Sequence, residues 1–172
     1  YALCGVTGIT NIVLDDSVSK IGNYAFYNNS DLESINIPNV VTAIGNYAFY
    51  GCSALKSIAI PGSVSSLGNY AFYNCSQLER VVIEEGSTSI GSSFFSGCSS
   101  LQSVVIPNTV TNIGGFAFYD CNSLESLTIP FIGTSKDATG TNRVFGAIFG
   151  STSVSTAEGV TQQLYDASNS YY

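Results

Sequence analysis

The sequence predicts a β-rich solenoid of stacked 23-residue coils, and three observations lead to that fold class. An aliphatic residue precedes glycine at a constant 23-residue interval, at Ile21, Ile44, Leu67, Ile90 and Ile113. Phenylalanine recurs at the same interval, at Phe26, Phe49, Phe72, Phe95 and Phe118. No insertion or deletion disturbs this register. Stacked coils require such a period because each coil packs on an equivalent neighbour.

The strand of each coil is predicted from the pattern L-x-x-I-x-I, as in Leu55, Ile58 and Ile60. Residues two apart on a strand point to the same side, so Ile58 and Ile60 are expected to face the core. Proline follows in four units and ends the strand, because it cannot donate a hydrogen bond to the ladder. Stacking these strands in parallel predicts a continuous sheet along one side of the solenoid.

The rest of each coil is predicted to hold a second short extended stretch and a turn-rich segment. The extended stretch is the V-x-x-I-G step, as in Val41 to Gly45. The segment N-Y-A-F-Y-x-C has room for one or two helical turns, with its alanine and phenylalanine facing inward. Its other aromatic residues form two columns, Tyr24, Tyr47, Tyr70 and Phe116, and Tyr27, Tyr50, Tyr73 and Tyr119. Such columns either stiffen this side by stacking or bind sugars or protein surfaces.

Four cysteines follow the same period, at Cys52, Cys75, Cys98 and Cys121. Zinc sites use close pairs such as C-x2-C to surround one ion, whereas one cysteine per coil gives a straight column. Parallel Cβ atoms about 5 Å apart are also poorly placed for disulfides, which need roughly 3.5–4.5 Å. We therefore predict a spine of small buried thiols. Cys4 lies outside this column.

Composition excludes several classes of function. The 172-residue chain has a net charge of −7, five scattered basic residues and no histidine. Nucleic-acid binding requires clustered cations, and histidine is the commonest general base and metal ligand. The sequence therefore predicts no enzyme activity, no cofactor, no metal site and no nucleic-acid partner. No apolar run reaches the roughly 18 residues of a membrane span. A chain that begins at Tyr1 without methionine is expected to be part of a longer or processed protein.

The unit LxxIxIPxxVxxIGxxAFxxCxx resembles the BspA-like, treponemal-type leucine-rich repeats of bacterial surface proteins. The resemblance rests on the period, the Ala-Phe pair, the cysteine column and the Ile-Pro closure, and it covers roughly residues 6 to 130. It implies a right-handed leucine-rich-repeat solenoid with its parallel sheet on the concave face. It also implies a secreted or cell-surface protein that binds host or microbial surface proteins or glycans. The family offers no catalytic residues to match.

The outward positions of the strands are the candidate binding residues, because the repeat does not hold them to one residue type. They form two neighbouring columns on the predicted concave face: Ser34, Ser57, Arg80, Ser103 and Ser126, and Asn36, Ala59, Val82, Val105 and Thr128. Arg80 beside Val82 and Val105 is the predicted anchor of the patch. The alternative function is a rigid structural spacer that displays other domains of a larger surface protein.

The repeats are predicted to occupy residues 1–130, as about five full coils after a partial N-terminal coil. Residues 131–172 break the period and are predicted to be a capping or inserted segment, since a bare terminal coil exposes its core. The acidic pairs Asp15-Asp16 and Glu84-Glu85 occupy equivalent turns. Glu84 replaces a closing proline in a coil that also departs from the repeat at Ser87, Ser93 and Phe94. Repeat drift explains this best, with a Ca²⁺ or partner contact as the alternative.

Overall fold

A computed structural model describes residues 2–131, 134–137 and 146–150, which form a stack of similar coils. The elements in chain order are β1 (Asn11–Val13), β2 (Ser34–Asn36), β3 (Ala43–Ile44), β4 (Ser57–Ile60), β5 (Ser66–Leu67), β6 (Arg80–Ile83), β7 (Ser89–Ile90), β8 (Ser103–Val105), β9 (Asn112–Ile113), β10 (Ser126–Thr128) and α1 (Gly146–Phe149). Each full coil therefore contains a longer strand, a short strand and a segment of turns.

The strands pair in parallel with their equivalents in neighbouring coils. The longer strands form the pair β1-β2 and the four-stranded sheet β4-β6-β8-β10, while the short strands form the sheet β3-β5-β7-β9. The register follows the sequence period, with Ile58 opposite Val81 and Ile44 opposite Leu67. This topology confirms the predicted solenoid, including the short strand expected from the V-x-x-I-G step.

The core runs along the inside of the stack, between the two sheets and the turn segments. Its members are the repeated aliphatic residues and the Ala-Phe pairs, as the sequence predicted. In the middle coils Ala48, Phe49, Leu55 and Ile60 are fully buried. Because each equivalent residue packs on its copy in the next coil, the apolar surface is buried between coils as well as within them.

The prediction of helical turns in the segment N-Y-A-F-Y-x-C was wrong, because residues 2–131 contain only turns there. The N–H groups of Tyr47 and Phe49 donate to the carbonyl oxygens of Asn69 and Ala71 in the next coil, at 2.9 and 2.8 Å. The N–H of Tyr50 instead donates back to Tyr47, at 3.3 Å. Alternate N–H groups are thus used between coils, so the i to i−4 bonds of an α-helix cannot form.

Two columns of left-handed backbone conformation shape this turn segment. One contains the types that adopt it readily: Asn28, Gly51, Asn74, Gly97 and Asp120, with φ of 55, 71, 56, 77 and 56°. The other contains Tyr24, Tyr47, Tyr70, Ser93 and Phe116, with φ between 52 and 60°. A left-handed aromatic residue is uncommon, and here hydrogen bonds hold it in place: the N–H of Tyr47 donates to Asn69 in the next coil, and its carbonyl oxygen accepts from Tyr50.

The described residues after the last strand continue the stacking of the repeats. Thr134 accepts a hydrogen bond from the N–H of Ile113 at 2.7 Å, and Ala147 accepts one from Phe116 at 2.9 Å. Ile148, in α1, is fully buried. These contacts are those expected of a cap, but most of the segment 131–172 lies outside the described residues. Its role as a cap or insertion therefore stays a prediction.

Candidate binding surfaces

All ten predicted binding residues are exposed and lie on one surface, here called the strand face. It consists of the outward positions of β1, β2, β4, β6, β8 and β10. Register pairs place Arg80 between Ser57 and Ser103, and they place Ala59 beside Val82. Sequence reasoning missed that β1 extends both columns, with Asn11 opposite Ser34 and Val13 opposite Asn36. The period alone could have revealed these two residues, which lie 23 positions before Ser34 and Asn36.

The strand face combines exposed apolar side chains with one cation. Val13, Val82 and Val105 are 76, 57 and 60% exposed. Along the edge of this face Lys56 forms an ion pair with Glu33 in the preceding coil, at 2.7 Å. Within the described part of the chain Arg80 forms no ion pair. Its guanidinium is therefore available to an acceptor on another molecule.

The acidic pair Glu84-Glu85 connects three coils through backbone hydrogen bonds. The Glu84 carboxylate accepts from the N–H of Gly62 at 3.0 Å, and the Glu85 carboxylate accepts from Asn108 at 3.1 Å and Thr109 at 3.2 Å. Glu84, which replaces the closing proline of the repeat, therefore has a structural role. The described residues contain no group of three potential metal ligands of the His, Cys, Asp or Glu type.

In the other acidic pair, Asp15-Asp16, the Asp15 carboxylate forms a hydrogen bond within its own turn. The Asp15 carboxylate accepts a hydrogen bond from the N–H of Ser17 at 2.9 Å. That bond, with a smaller contribution from the Ser17 side chain, lowers the pKa of Asp15, because both stabilise the ionised carboxylate.

The cysteine column consists of free, buried thiols. Each thiol donates to a phenylalanine carbonyl oxygen 26 residues earlier, as from Cys75 to Phe49 at 3.2 Å. Cys52, Cys98 and Cys121 repeat this bond at the same distance. The column therefore fills space and satisfies a buried carbonyl in the preceding coil.

In the first full coil Asn29 takes the place of the cysteine. It is fully buried. Its Oδ1 accepts from the N–H of Val6 at 3.2 Å.

Burial raises the pKa of three thiols of the column, those of Cys52, Cys75 and Cys121. It raises the pKa of Cys121 to about 12, an effect partly opposed by a backbone hydrogen bond from Cys98. Burial also raises the pKa of Cys52 and of Cys75 well above the usual range for a thiol. Because the thiolate is the reactive form, these three thiols should be chemically inert in the folded protein.

Thiol labelling should distinguish Cys4 from the column. We expect N-ethylmaleimide to modify one thiol per native chain at neutral pH, because Cys4 is exposed and the other four are buried. Mass spectrometry should show five modifications in denaturant. Cys4→Ser is the matched control and should leave the native protein unlabelled. Rapid labelling of Cys52 or Cys121 in the native state would contradict a closed column.

The two aromatic columns stack almost as regularly as the strands. Ring centroids are 4.8 Å apart between Tyr47 and Tyr70 and 4.9 Å apart between Tyr50 and Tyr73, with interplanar angles of 6 and 5°. Both columns are interrupted in the next coil, where Ser93 and Ser96 occupy the tyrosine positions. Ser93 could be recognised in the sequence as a departure from the repeat, and Ser96 departs from it at the equivalent tyrosine position.

A repeating strand, a core built from equivalent residues and an exposed strand face together define a leucine-rich-repeat solenoid. A family model described as "BspA type Leucine rich repeat region" matches residues 1–125 in six copies. The chain belongs to this family of repeats, which occurs in bacterial surface-type proteins. Leucine-rich-repeat folds are typically non-catalytic.

Solved structures of similar proteins agree with this assignment. The T. pallidum leucine-rich-repeat protein TpLRR is 34% identical with a TM-score of 0.69, covering 70% of this chain and 59% of its own. A leucine-rich-repeat protein from Eubacterium ventriosum is 25% identical with a TM-score of 0.69, covering 94 and 45%. A leucine-rich cell surface protein from Faecalibacterium prausnitzii is 30% identical with a TM-score of 0.56, covering 70 and 42%. The chain thus spans less than two thirds of each of these proteins.

A search of curated proteins finds no significant match. In the described part of the chain, no helix has the length and apolar character to cross a membrane.

Proposed function

We propose that this chain is a non-catalytic protein-binding module of a secreted or cell-surface protein and that it binds through the strand face. The observation that carries the proposal is the exposure of Val82 and Val105 beside Arg80 on a rigid parallel sheet. Interface centres favour an apolar contact flanked by arginine. The surface location is supported by the Faecalibacterium protein, which is described as a cell surface protein.

The strand face is already ordered before a partner arrives. Strands β6 and β8, which carry Arg80, Val82 and Val105, are paired with a strand on each side, so these side chains project from fixed backbone positions. Preorganisation of this kind lowers the entropy cost of binding. The serine column adds small hydroxyl groups that accept or donate hydrogen bonds without hindering a close approach. A partner with an exposed carboxylate near an apolar side chain would match Arg80 and Val82.

The double variant Arg80→Glu/Val82→Asp should weaken binding to the partner by at least about thirtyfold, the factor for a hot spot of roughly 2 kcal/mol. It reverses the cation and places a carboxylate in the apolar strip. We would measure binding of both proteins to immobilised extracellular-matrix proteins and mucins by surface plasmon resonance. Far-UV circular dichroism would establish that the variant is folded.

The matched control is Lys20→Glu/Val40→Asp, which makes the same change of charge at exposed positions outside the strand face. It should bind like the unmodified chain. Equal binding by all three proteins would rule out the strand face as the site. No binding by any of them would favour the alternative function, a rigid spacer that displays other domains.

A further inference from the structure

Six tyrosines form one surface on the turn side of three neighbouring coils. Ring centroids are 4.9 and 4.8 Å apart along one column and 4.9 Å apart at both steps of the other. The two columns also contact each other, as between Tyr47 and Tyr50 at 5.9 Å. All six side chains are half-buried. We call this surface the tyrosine patch, and its members are Tyr24, Tyr27, Tyr47, Tyr50, Tyr70 and Tyr73.

The hydroxyl groups of the tyrosine patch reach solvent. Within the described residues, the hydroxyls of the five members other than Tyr24 make no hydrogen bond, and the enclosed polar side-chain atom without a partner is Nδ2 of Asn29. These five hydroxyls are therefore accessible to another molecule. The ring faces are covered by the neighbouring rings of the same column, so a ligand meets hydroxyl groups and ring edges rather than ring faces.

A column of asparagines adds amide donors beside the tyrosine patch, since each asparagine directly precedes one of its tyrosines. Oδ1 of Asn46 accepts from the N–H of Asn69 at 2.8 Å, and Oδ1 of Asn69 accepts from the N–H of Ser92 at the same distance. In the described structure the Nδ2 groups of Asn46 and Asn69 have no partner, and both residues are exposed. These donors repeat once per coil, in step with the tyrosines.

The tyrosine patch is uncharged, although the chain has a net charge of −7. Segments 22–30, 45–53 and 68–76, which carry the patch, contain no aspartate, glutamate, lysine or arginine. A charged ligand would find no opposite charge within these segments. The patch therefore favours a neutral ligand that presents hydroxyl or carbonyl groups along its length.

The distance between coils discriminates between neutral polymers. The tyrosines repeat every 4.8 to 4.9 Å along the stack. A protein strand laid along the stack would present equivalent side chains roughly every 6.6 Å and would lose register within two coils. In a straight polysaccharide such as cellulose or chitin, each sugar advances the chain by close to one coil spacing.

We propose that the tyrosine patch binds a straight, neutral polysaccharide of the cellulose or chitin type, with its chain parallel to the stack of coils. Successive sugars then meet the hydroxyl groups and amide donors of successive coils. This surface is separate from the strand face, because the turn segments and the longer strands occupy different sides of each coil.

The test measures the depletion of the full chain from solution by suspended cellulose and by suspended chitin. Starch, whose chain is helical, is the control polysaccharide. We expect retention on cellulose or chitin and none on starch. The variant Tyr27→Phe/Tyr50→Phe/Tyr73→Phe removes three hydroxyls and keeps the stacked rings, so it should weaken binding about tenfold or more. Far-UV circular dichroism would establish that it is folded.

Two further variants make the outcome specific. Tyr119→Phe removes a hydroxyl from the same column beyond its interruption at Ser96, and Arg80→Glu/Val82→Asp alters the strand face; both should bind the polysaccharide normally. No retention on cellulose and chitin, equal retention on starch, or full retention of the triple variant overturns the proposal. Equal weakening by Tyr119→Phe overturns the assignment to the tyrosine patch. If the triple variant does not fold, unchanged binding by Tyr50→Phe overturns the proposal.

Discussion

Replacing Gly68 with alanine is expected to lower the free energy of unfolding by about 3 kcal/mol, the upper range for an added methyl group in a closely packed site. A Cβ at Gly68 would lie 2.5 Å from the backbone nitrogen of Asn46 and 2.5 Å from the carbonyl carbon of Gly45. Both atoms belong to the backbone of the preceding coil. The clash therefore cannot be relieved by a side-chain rotation and must push the coils apart.

Gly22→Ala provides the matched control for Gly68→Ala. Gly22 holds the same position in the first full coil, but no heavy atom lies within 4 Å of its expected Cβ. Alanine there should change stability by less than about 1 kcal/mol. Urea unfolding followed by circular dichroism would measure both variants. Equal effects at the two positions would show that close approach between coils is not why glycine recurs.

The period was sufficient to predict the strands and the core. A single pattern such as Leu55, Ile58 and Ile60 assigns the inward residues of one coil, and translation by 23 residues assigns the others. The pairing register follows as well, because parallel strands stack on their own copies. Exposure of Arg80 and Val82 could be predicted for the same reason, since alternate strand residues face opposite sides.

Hydrogen bonds between neighbouring coils could not be predicted in this way. The helical interpretation of the turn segment considered only bonds within a coil, whereas Tyr47 and Phe49 donate to the next one. The asparagine ladder was also missed, in which the N–H of Asn46 donates to Oδ1 of Asn23 at 2.8 Å. A repeated asparagine was visible in the sequence, but its acceptor role requires the distance between coils.

The interruption of the aromatic columns illustrates the same limit. Ser93 was visible as a departure from the repeat, and the sequence offered drift as its simplest explanation. Its effect on the aromatic columns depends on Ser96 and on the stacking of the rings in the neighbouring coils. None of these is a property of one residue type. Departures from a repeat are therefore informative where several of them meet at one place in the stack.

Phe72→Ala should reduce the free energy of unfolding by about 4 kcal/mol, because it removes a fully buried ring and leaves a cavity. The ring centroid of Phe72 lies 4.9 Å from that of Phe49 and 5.9 Å from that of Phe95, and it lies 5.3 Å from that of Phe94 in a T-shaped arrangement. Neighbouring coils on both sides lose packing at once. Their backbones cannot collapse into the cavity while the strands stay paired.

Tyr73→Ala is the matched control for Phe72→Ala, since the adjacent ring stacks on Tyr50 at the same 4.9 Å but lies at the surface. Losing that stacking should cost about 1 kcal/mol. Urea unfolding of the two variants would measure the change in the free energy of unfolding. The comparison shows how far burial makes the inner aromatic column more important for stability than the outer ones. If Tyr73→Ala is as destabilising as Phe72→Ala, the outer columns are a main source of stability. Their interruption at Ser93 and Ser96 would then weaken the stack at that coil.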